Sequence, residues 1–376
     1  MYDVCIIGSG FSGSVLAERL ASQSHKKVLV LESRPHIGGN AYDYINNHGI
    51  RISKYGAHLF HTNRKDVWDY VHQFGHWTPW EHRVLARLTD TLHVPIPICL
   101  GSMKALNLAQ TVPEMMDWVM ERTAQYRHSP ILNSRDVALS RVGSLLYEKF
   151  FRHYTVKQWA KDPSELEPCV LERIPVRFHE DDRYFTDTYQ AQPTNGFTEL
   201  FENMLDHENI TVKTSCDYFE EKHTLQNIPI TVFTGAIDRY YAWKGLDKLE
   251  YRSIRFEDYD VELDDPTQFV LPASVVNEPL PQIPYTRTVE HKRFLNQVGY
   301  VSTLTREYTT DQGEPYYPVP SQRNRDLYEK YRELANQETE KERRKVIFLG
   351  RLAGYKYMNM DQAIGNALDE YHLLSV

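Results

Sequence analysis

The chain has 376 residues, of which 41% are hydrophobic and 25% are charged, and its formal net charge is −8. Single hydrophobic cores stop growing at roughly 250–300 residues, so we expect two or three subdomains. The acidic balance argues against general nucleic-acid binding, because no basic excess exists to neutralise phosphates.

The first 31 residues predict a βαβ unit, in which a helix joins two strands of one parallel sheet. Residues 2–7 and 27–31 are short apolar runs typical of buried strands, and residues 14–22 carry apolar side chains at helical spacing. Later stretches predict further elements of the same kind: helices over residues 197–205 and 361–373, and strands over residues 228–233 and 346–349.

The middle of the chain changes its pattern. Helical spacing within residues 104–157 leads us to predict a mainly helical insertion over residues 81–165. Residues 173–190 are rich in proline and aromatic residues, which favours a loop with extended pieces. From residue 251 to 308, β-branched and aromatic runs alternate with turn residues, as in antiparallel sheets. The charged residues 337–345 predict a solvated helix end or loop.

The remaining composition bears on location. Four cysteines are scattered without CxxC spacing, which fits a reducing compartment and gives neither a disulfide framework nor a metal site. No apolar run approaches the roughly 20 residues that cross a bilayer, and no basic segment precedes an apolar stretch at the N-terminus. We therefore predict a cytoplasmic protein without membrane insertion.

The glycine turn at residues 8–13, GSGFSG, has the GxGxxG pattern and lies between the first strand and the first helix. Gly8 permits the tight turn, Gly10 lets the backbone approach a pyrophosphate, and Gly13 lets the helix pack on the strand. Glu32 ends the second strand about 20 residues later, where a partner for a ribose hydroxyl belongs. The βαβ unit, with its glycine turn and the acidic residue after the second strand, predicts a dinucleotide site.

The residues after Glu32 favour FAD over NAD. An acid followed by RxxxGG, here Arg34 to Gly39, resembles FAD-binding oxidoreductases more than NAD dehydrogenases. The glycine pair would let the backbone approach the flavin diphosphate or ribityl chain. The predicted cofactor-binding residues of this region are Gly8, Gly10, Phe11, Ser12, Gly13, Glu32, Ser33, Gly38, Gly39 and Asn40.

Longer motifs follow in a fixed order along the rest of the chain. They are YGAHLFHT at 55–62, YTVKQW at 154–159, RIPVRF at 173–178, YF at 184–185, PYTR at 284–287, EHK at 290–292, EPYYP at 314–318 and GRL at 350–352. With these motifs the chain resembles the UDP-galactopyranose mutase family from end to end. Several motifs in the same order are far more specific than GxGxxG alone.

The resemblance implies a fold of mixed α/β and α+β class, with a discontinuous Rossmann-like FAD-binding domain, a helical insertion and an antiparallel β-sheet substrate domain. We assign the FAD-binding domain to residues 1–80, 191–249 and 336–376. The mainly helical domain is assigned to residues 81–165. The sheet domain, with a mobile loop, is assigned to residues 166–190 and 250–335.

The resemblance also implies a reaction, the reversible isomerisation of UDP-galactopyranose to UDP-galactofuranose. In the family, N5 of reduced FAD is the nucleophile at the anomeric carbon, and UDP is displaced and re-added. The protein supplies position and charge, and cations hold the diphosphate between the two steps. NADPH or NADH would reduce the flavin. Because the chain has no second GxGxxG segment, we expect the nicotinamide groove to overlap the substrate cleft.

Four residues match positions with implied catalytic roles. Arg173 matches a mobile-loop arginine on the substrate diphosphate and Arg287 matches a second one, since guanidinium binds phosphate oxygens bidentately. Trp159 matches a tryptophan near the sugar and flavin. His61 falls in the stretch that passes the reactive edge of the flavin, where a histidine tunes protonation, and we favour it over His58.

A larger set of positions is implied to bind substrate or cofactor. The substrate set is Tyr154, Thr155, Trp159, Arg173, Tyr184, Arg252, Arg287, Tyr317, Tyr357, Asn359 and His82. The cofactor set adds His58, Arg351, Tyr357 and Met360 to the glycine-turn residues. The roles of Arg252 and Arg177 stay open, because each could either contact the substrate or pair with a carboxylate. Because Tyr316 is adjacent to Tyr317, the motif leaves open which of the two tyrosines contacts the substrate.

Two positions depart from the family pattern. Asn359 stands where aspartate is common, and His82 where some members have asparagine. Related mutases act on UDP-N-acetylgalactosamine or dTDP-fucose, and the sequence leaves that choice open. The rival class is an FAD oxidoreductase of the amine-oxidase type, and a non-catalytic flavin-binding protein is a third interpretation. Arg173 and Arg287 argue against both. Family members are often oligomers, so a homo-oligomer also stays open.

Overall fold

The computed structural model describes residues 1–341 and 345–375. Its strands are β1 (Val4–Ile7), β2 (Val28–Leu31), β3 (Asp43–Ile45), β4 (Arg51–Ser53), β5 (Phe60–Thr62), β6 (Trp77–Pro79), β7 (Val84–Arg87), β8 (His93–Ile96), β9 (Tyr189–Pro193), β10 (Ile210–Lys213), β11 (Ile230–Phe233), β12 (Tyr251–Glu262), β13 (Val275–Asn277), β14 (Arg287–Glu290), β15 (Val301–Thr310), β16 (Tyr317–Pro318) and β17 (Lys345–Phe348). Its α-helices are α1 (Phe11–Ser24), α2 (Lys65–Val71), α3 (Leu100–Ala105), α4 (Val112–Thr123), α5 (Ser134–Leu146), α6 (His153–Trp159), α7 (Cys169–Glu172), α8 (Phe197–Leu205), α9 (Tyr218–Glu221), α10 (Ile237–Tyr240), α11 (Gln322–Lys341) and α12 (Met360–Ser375).

A parallel sheet forms the centre of the first domain, with described strands in the order β10-β2-β1-β11-β17. β1 and β2 are short apolar runs, as expected for strands that are covered on both faces. Apolar side chains of α1, α8 and α12 pack on this sheet and form the first hydrophobic core. The predicted Rossmann-like α/β fold is confirmed, and α1, β2 and α12 lie where the sequence predicted them.

A mixed sheet forms the second domain, with described strands in the order β16-β12-β15-β14-β13-β7-β8. Adjacent strands of this sheet run antiparallel, except for β7 and β13, which run parallel. The prediction of a mainly helical segment over residues 81–165 was wrong at its start, because β7 and β8 belong to this sheet. Buried residues alternate along both strands, and β13, the strand that pairs with β7, lies about 190 residues later in the sequence.

Other boundaries also differ from the prediction. Residues 166–190, which were assigned to the sheet domain, add none of the strands named above to the mixed sheet. The strand β9, which begins at Tyr189, pairs with β5 and β6 in a separate sheet. α11 begins at Gln322, inside the segment assigned to the sheet domain. The predicted helix end within residues 337–345 reaches Lys341, and residues 342–344 lie outside the described part.

The second hydrophobic core lies between the mixed sheet and helices α3 to α7. Met103, Met115 and Leu146 from the helices meet Val84 and Val289 from the sheet, all of them buried. Segments from both domains meet beside this core, because the residue after α7 contacts a residue that precedes α12. That junction brings together the motifs the sequence singled out.

Candidate active site

Two glycine turns meet at the carboxyl end of the parallel sheet. Gly8 has a φ of +101°, and a Cβ there would lie 2.2 Å from Oγ1 of Thr234. A Cβ on Gly13 would lie 1.9 Å from the carbonyl oxygen of Gly8, so α1 could not keep its place. A Cβ on Gly39 would come within 2.9 Å of Cα of Gly10. Side chains are therefore excluded where the two turns touch.

The groups around this turn fit a dinucleotide. α1 spans 14 residues, and no side chain caps its first amides, which leaves them for an anion. Phe11 and Ser12 are the first residues of that helix. Glu32 is buried, and its carboxylate accepts hydrogen bonds from N and Oγ of Ser9 at 3.0 and 2.8 Å. An acid fixed beside a free helix N-terminus is what a ribose and its phosphates require.

Ser33, Asn40 and Gly38 line the same edge. Ser33 Oγ donates to Glu32 at 3.4 Å, and Arg34 donates to Oδ1 of Asn40 at 2.9 Å. The amide of Gly38 donates to the carbonyl oxygen of Ser9 at 3.0 Å and joins the two turns. The predicted cofactor residues of the first 40 positions thus lie together.

Replacing Gly13 with alanine is expected to abolish flavin retention, because the new methyl group would force α1 away from the turn that receives the phosphates. The visible spectrum of the purified protein measures this directly. Gly101→Ala is the matched control, since a Cβ at this helical glycine would make only ordinary contacts, the nearest at 3.5 Å. Equal flavin content in both variants would contradict the assignment.

A cluster of two arginines and two tyrosines lies at the domain junction, and we call it the arginine–tyrosine cluster. Arg173 Nη1 donates to the hydroxyl of Tyr357 at 3.1 Å, and its guanidinium lies 4.8 Å from the centre of that ring. The rings of Tyr357 and Tyr317 stack with centres 5.8 Å apart. The guanidinium of Arg351 lies 5.4 Å from both ring centres. Motifs distant in the sequence therefore converge here.

The charge of the cluster is positive. Across residues 1–341 and 345–375, neither Arg173 nor Arg351 has a carboxylate partner. Burial alone would raise the pKa of Tyr357, but the charges of Arg173 and Arg351 outweigh burial and lower it. Tyr357 in turn raises the pKa of Arg173. An uncompensated pair of guanidiniums with accessible phenol groups is an anion site.

Arg287 reaches the same junction from β14. Its Nε donates to Oε2 of Glu307 at 2.6 Å, and the side chain of Glu307 is only 2% exposed. Burial opposes the charge of Arg287, but Glu307, Tyr154 and Tyr317 outweigh it and raise the pKa. Since Nε is occupied by Glu307, the terminal nitrogens of Arg287 are left for a ligand.

Aromatic groups border these cations. Trp159 is buried and meets the ring of Tyr317 edge-on at 6.4 Å. Thr155 is buried one turn earlier in α6, and Tyr154 lies close enough to Arg287 to affect its charge. Tyr184 contacts Phe185 and lies 5.9 Å from the ring of His82. Tyr154 and Tyr184 also lie close enough to Arg173 to raise its pKa, so the predicted aromatic residues lie around the cluster.

Three other expectations receive a structural answer. Tyr316 is buried and packs beside Phe256, so Tyr317 is the tyrosine that faces the cluster. Arg177 and Arg252 pair with no carboxylate in the described residues. Arg177 donates to the carbonyl oxygens of Arg183 and Tyr184, and Arg252 donates to that of Gln158. Both arginines are buried and brace the backbone next to predicted substrate contacts.

Asn359 and Met360 lie where α12 begins. The backbone N–H of Asn359 donates to Oε1 of Gln362 at 3.0 Å. Met360 is the first residue of α12. Arg351 donates to the carbonyl oxygen of Met358, which fixes the chain between β17 and α12.

Sequence reasoning missed two supporting residues. Nζ of Lys157 lies within hydrogen-bonding distance of the backbone carbonyls of Glu278, Leu280, Ile283 and Tyr285, which share its three N–H donors. Burial lowers the pKa of this lysine to about 8. Its place in the YTVKQW motif was the available signal. Glu307 has no comparable signal, because its role depends on burial beside Arg287.

Two histidines of the site have a lowered pKa. His58 Nδ1 lies 2.8 Å from the carbonyl oxygen of Gly56, and burial lowers its pKa to about 4. His82 is 2% exposed, burial lowers its pKa to about 3, and its Nδ1 has no hydrogen-bond partner in the described part of the chain. An unpartnered buried nitrogen is the kind of group that a ligand or water satisfies.

Stability is expected to fall as the pH drops below about 6.5. His82 and His291 are buried, and burial lowers their pKa values to about 3 and about 4, whereas an unfolded histidine titrates near 6.5. The unfolded chain therefore takes up protons that the folded chain refuses, at about 1.4 kcal/mol per pH unit for each group. Urea unfolding at pH 7 and pH 5 measures the loss, and His82→Asn should reduce it by about 1–2 kcal/mol. An identical loss in both proteins would refute this account.

The fold and site define a Rossmann-like dinucleotide-binding enzyme with a separate anion site. The UDP-galactopyranose mutase family model matches residues 149–357, and a model of NAD(P)-binding Rossmann-like domains matches residues 6–74. A dTDP-fucopyranose mutase from Escherichia coli is 35% identical, over 98% of this chain and 97% of that protein. A probable UDP-galactopyranose mutase from Klebsiella pneumoniae is 33% identical, over 97% and 93%.

A solved structure of the same family has the same fold as this chain. The crystal structure of a reduced UDP-galactopyranose mutase superposes with a TM-score of 0.76 at 16% identity, over 100% of this chain and 94% of that one. The chain belongs to the UDP-galactopyranose mutase family and is an isomerase, as the motifs predicted. Family membership and the glycine turns together support a flavin cofactor. Within the residues described, no helix is long and apolar enough to cross a bilayer.

Proposed function

We propose that the protein interconverts UDP-galactopyranose and UDP-galactofuranose with reduced FAD bound at the glycine turns. The observation that carries the proposal is the arginine–tyrosine cluster, whose positive charge has no carboxylate partner in the described chain. A diphosphate supplies the negative charge that this cluster lacks. When bound and reduced, FAD supplies the nucleophile that replaces UDP at the anomeric carbon.

The residues of the chain then have distinct tasks. Arg173 of the cluster and Arg287 beside it hold the substrate diphosphate and stabilise its charge as it leaves and returns, and Arg351 is assigned to the diphosphate of FAD. Tyr317 and Tyr357 donate hydroxyl hydrogen bonds to the same oxygens. Trp159 closes the aromatic side of the site, where it is already buried, and excludes water from the sugar.

Around the sugar and the nucleotide we assign the remaining contacts. His82 is assigned to a sugar hydroxyl because its Nδ1 is buried without a partner among the described residues. Tyr154, Thr155 and Tyr184 are assigned to the uridine and phosphate end. NADPH or NADH is proposed as the reductant, in a groove that overlaps the substrate site. Reduction by NADPH that is unaffected by saturating UDP would count against this overlap.

The nucleotide sugar itself has a second candidate. The relative from Escherichia coli is a dTDP-fucopyranose mutase, and it is as similar to this chain as the relatives named for UDP-galactopyranose. His82 stands at a proposed sugar contact, so the preference for a sugar depends on a residue in which this chain departs from the family pattern. UDP-N-acetylgalactosamine is the third sugar to test.

The deciding experiment combines a visible spectrum with assays on three nucleotide sugars, with and without dithionite. Bound flavin, and conversion only when the flavin is reduced, would support the proposal, and the preferred sugar follows from the ratio of kcat/KM values. Bound flavin with oxygen-dependent turnover and no isomerisation would favour the amine-oxidase class instead.

A further inference from the structure

His61 is held in one orientation from two sides. It lies in β5, is only 8% exposed, and its ring stacks on Phe185 with centres 3.6 Å apart. Its Nδ1 lies 2.9 Å from Oδ2 of Asp187. Nε2 makes no hydrogen bond to any described residue. The ring is therefore fixed at one nitrogen and open at the other.

Asp187 is itself fixed by a second layer of contacts. Its other oxygen, Oδ1, accepts a hydrogen bond from Nδ2 of Asn63 at 2.8 Å. The amide oxygen of Asn63 accepts from N and Oγ1 of Thr188 at 2.9 and 3.1 Å. Because Thr188 supplies donors, the Asn63 amide has to present its nitrogen to Asp187. The carboxylate therefore keeps Oδ2 directed at His61.

A carboxylate at Nδ1 decides which nitrogen carries the proton. An ionised carboxylate only accepts hydrogen bonds, so Nδ1 of the neutral ring carries the hydrogen and Nε2 is an acceptor. The pKa of Asp187 is lowered by its hydrogen bond to His61, which keeps it ionised. Two other titratable groups face His61: Asp361 from the first turn of α12, and His82 from the segment before β7.

The open edge of His61 belongs to the proposed active site. His61 and Arg287 both lie close enough to His82 to disfavour its protonation. His82 in turn has an unpartnered nitrogen, and its ring lies 6.2 Å from Phe185, on which His61 stacks. The acceptor nitrogen of His61 thus shares its surroundings with the proposed sugar contact.

We propose that Asp187, supported by Asn63, is a positioning residue that keeps Nε2 of His61 free to accept a proton from the sugar. This inference rests on the proposed function. When the five-membered ring closes, the attacking hydroxyl loses a proton, and Nε2 takes it. The ring oxygen that is released when the six-membered ring opens needs a proton, and Nε2 returns its proton there in the next turnover, so protons balance over one cycle and no external acid is consumed.

The Asp187→Asn variant tests the idea sharply. Asn63 still requires an acceptor at Oδ1, so the new amide would turn its nitrogen toward His61 and donate to Nδ1. His61 would then carry its proton on Nε2, the wrong nitrogen for this task. We expect kcat to fall roughly 100-fold while KM stays within about twofold, as for the loss of general acid–base catalysis.

A double variant provides the rescue. In Asp187→Asn with Asn63→Asp, the new carboxylate at 63 can accept from both Thr188 and the amide of residue 187. The amide oxygen at 187 then faces Nδ1 of His61 again, and kcat should recover most of the loss. Asp260→Asn is the matched control, because it changes an exposed His48–Asp260 pair of 3.1 Å outside the site.

The tautomer is measured in the ligand-free protein by nitrogen NMR of labelled histidines, with His61 assigned by its substitution. A hydrogen on Nδ1 in the wild type, its move to Nε2 in Asp187→Asn, and a parallel loss and rescue of kcat would support the proposal. An unchanged tautomer in Asp187→Asn, or an inverted tautomer with normal kcat, would overturn it. Absence of any sugar conversion by the wild type would instead refute the proposed function, and the NMR result would still decide how His61 is held.

Discussion

Replacing Arg173 with alanine is expected to lower kcat/KM for nucleotide-sugar conversion by roughly 100-fold. The guanidinium has no carboxylate partner in the described chain and only a phenol and a carbonyl to contact, so its charge is available to a ligand. Charge-assisted hydrogen bonds contribute about 1.5–3 kcal/mol, and about 2.8 kcal/mol corresponds to a factor of 100. Steady-state kinetics with reduced enzyme measures the change.

Two companions make this result specific. Arg173→Lys keeps the charge but loses the bidentate fork, so it should recover part of the activity. Arg152→Ala removes an exposed arginine that pairs with Glu148 one turn away, and it should behave like wild type. The unfolding free energy of Arg173→Ala should stay close to that of wild type, because no buried charge is left behind. Wild-type kcat/KM in Arg173→Ala would rule out a diphosphate at this position.

Arg287→Met is expected to lose both activity and stability. The side chain of Glu307 is 2% exposed and loses its ion-pair partner, which costs about 3–5 kcal/mol when a buried pair is broken on one side. Glu307→Gln in the same protein removes the stranded charge, so the double variant should regain most of the stability. It should regain none of the activity, since the guanidinium is still missing. Urea unfolding and kinetics together measure these effects.

An equivalent ion pair in the same sheet serves as the control. Arg87 and Glu278 lie 2.9 Å apart with side-chain exposures of 27% and 3%, close to the 25% and 2% of Arg287 and Glu307. Arg87→Met should therefore destabilise the protein to a similar degree while leaving kcat/KM near the wild-type value. If both substitutions reduced kcat/KM equally, the loss in Arg287→Met would reflect general destabilisation, and a specific role for Arg287 would be excluded.

The first domain could be predicted from sequence because its signals are local. Gly8, Gly13 and Glu32 lie within one βαβ unit, and each occupies a position that the backbone geometry requires. The strands β7 and β8 were missed for the opposite reason. They are four residues each, and their place in the sheet depends on β13, a partner about 190 residues away whose pairing no local pattern shows.

The residues of the candidate site also fall into two groups, those that the sequence predicted and those that only the structure revealed. Motif resemblance selected Arg173 and Tyr357, but their hydrogen bond joins residues 184 positions apart and could only be seen in the structure. Asp187 and Glu307 had no sequence signal, because an acidic residue becomes informative only when its burial and its partner are known. The sequence therefore identified groups with charge or aromatic character, and the fold identified the residues that orient them.

Lys157 has a consequence for the range of ligands. Its ammonium joins α6, which bears Trp159, to the carbonyls of the segment that leads into β14 and Arg287. Lys157 thus connects α6 to the segment before β14. Because this connection exists without a ligand, the distance between the indole of Trp159 and the guanidinium of Arg287 is fixed before a ligand binds. A compound that contacts both groups is therefore selected by whether its own length matches that fixed distance.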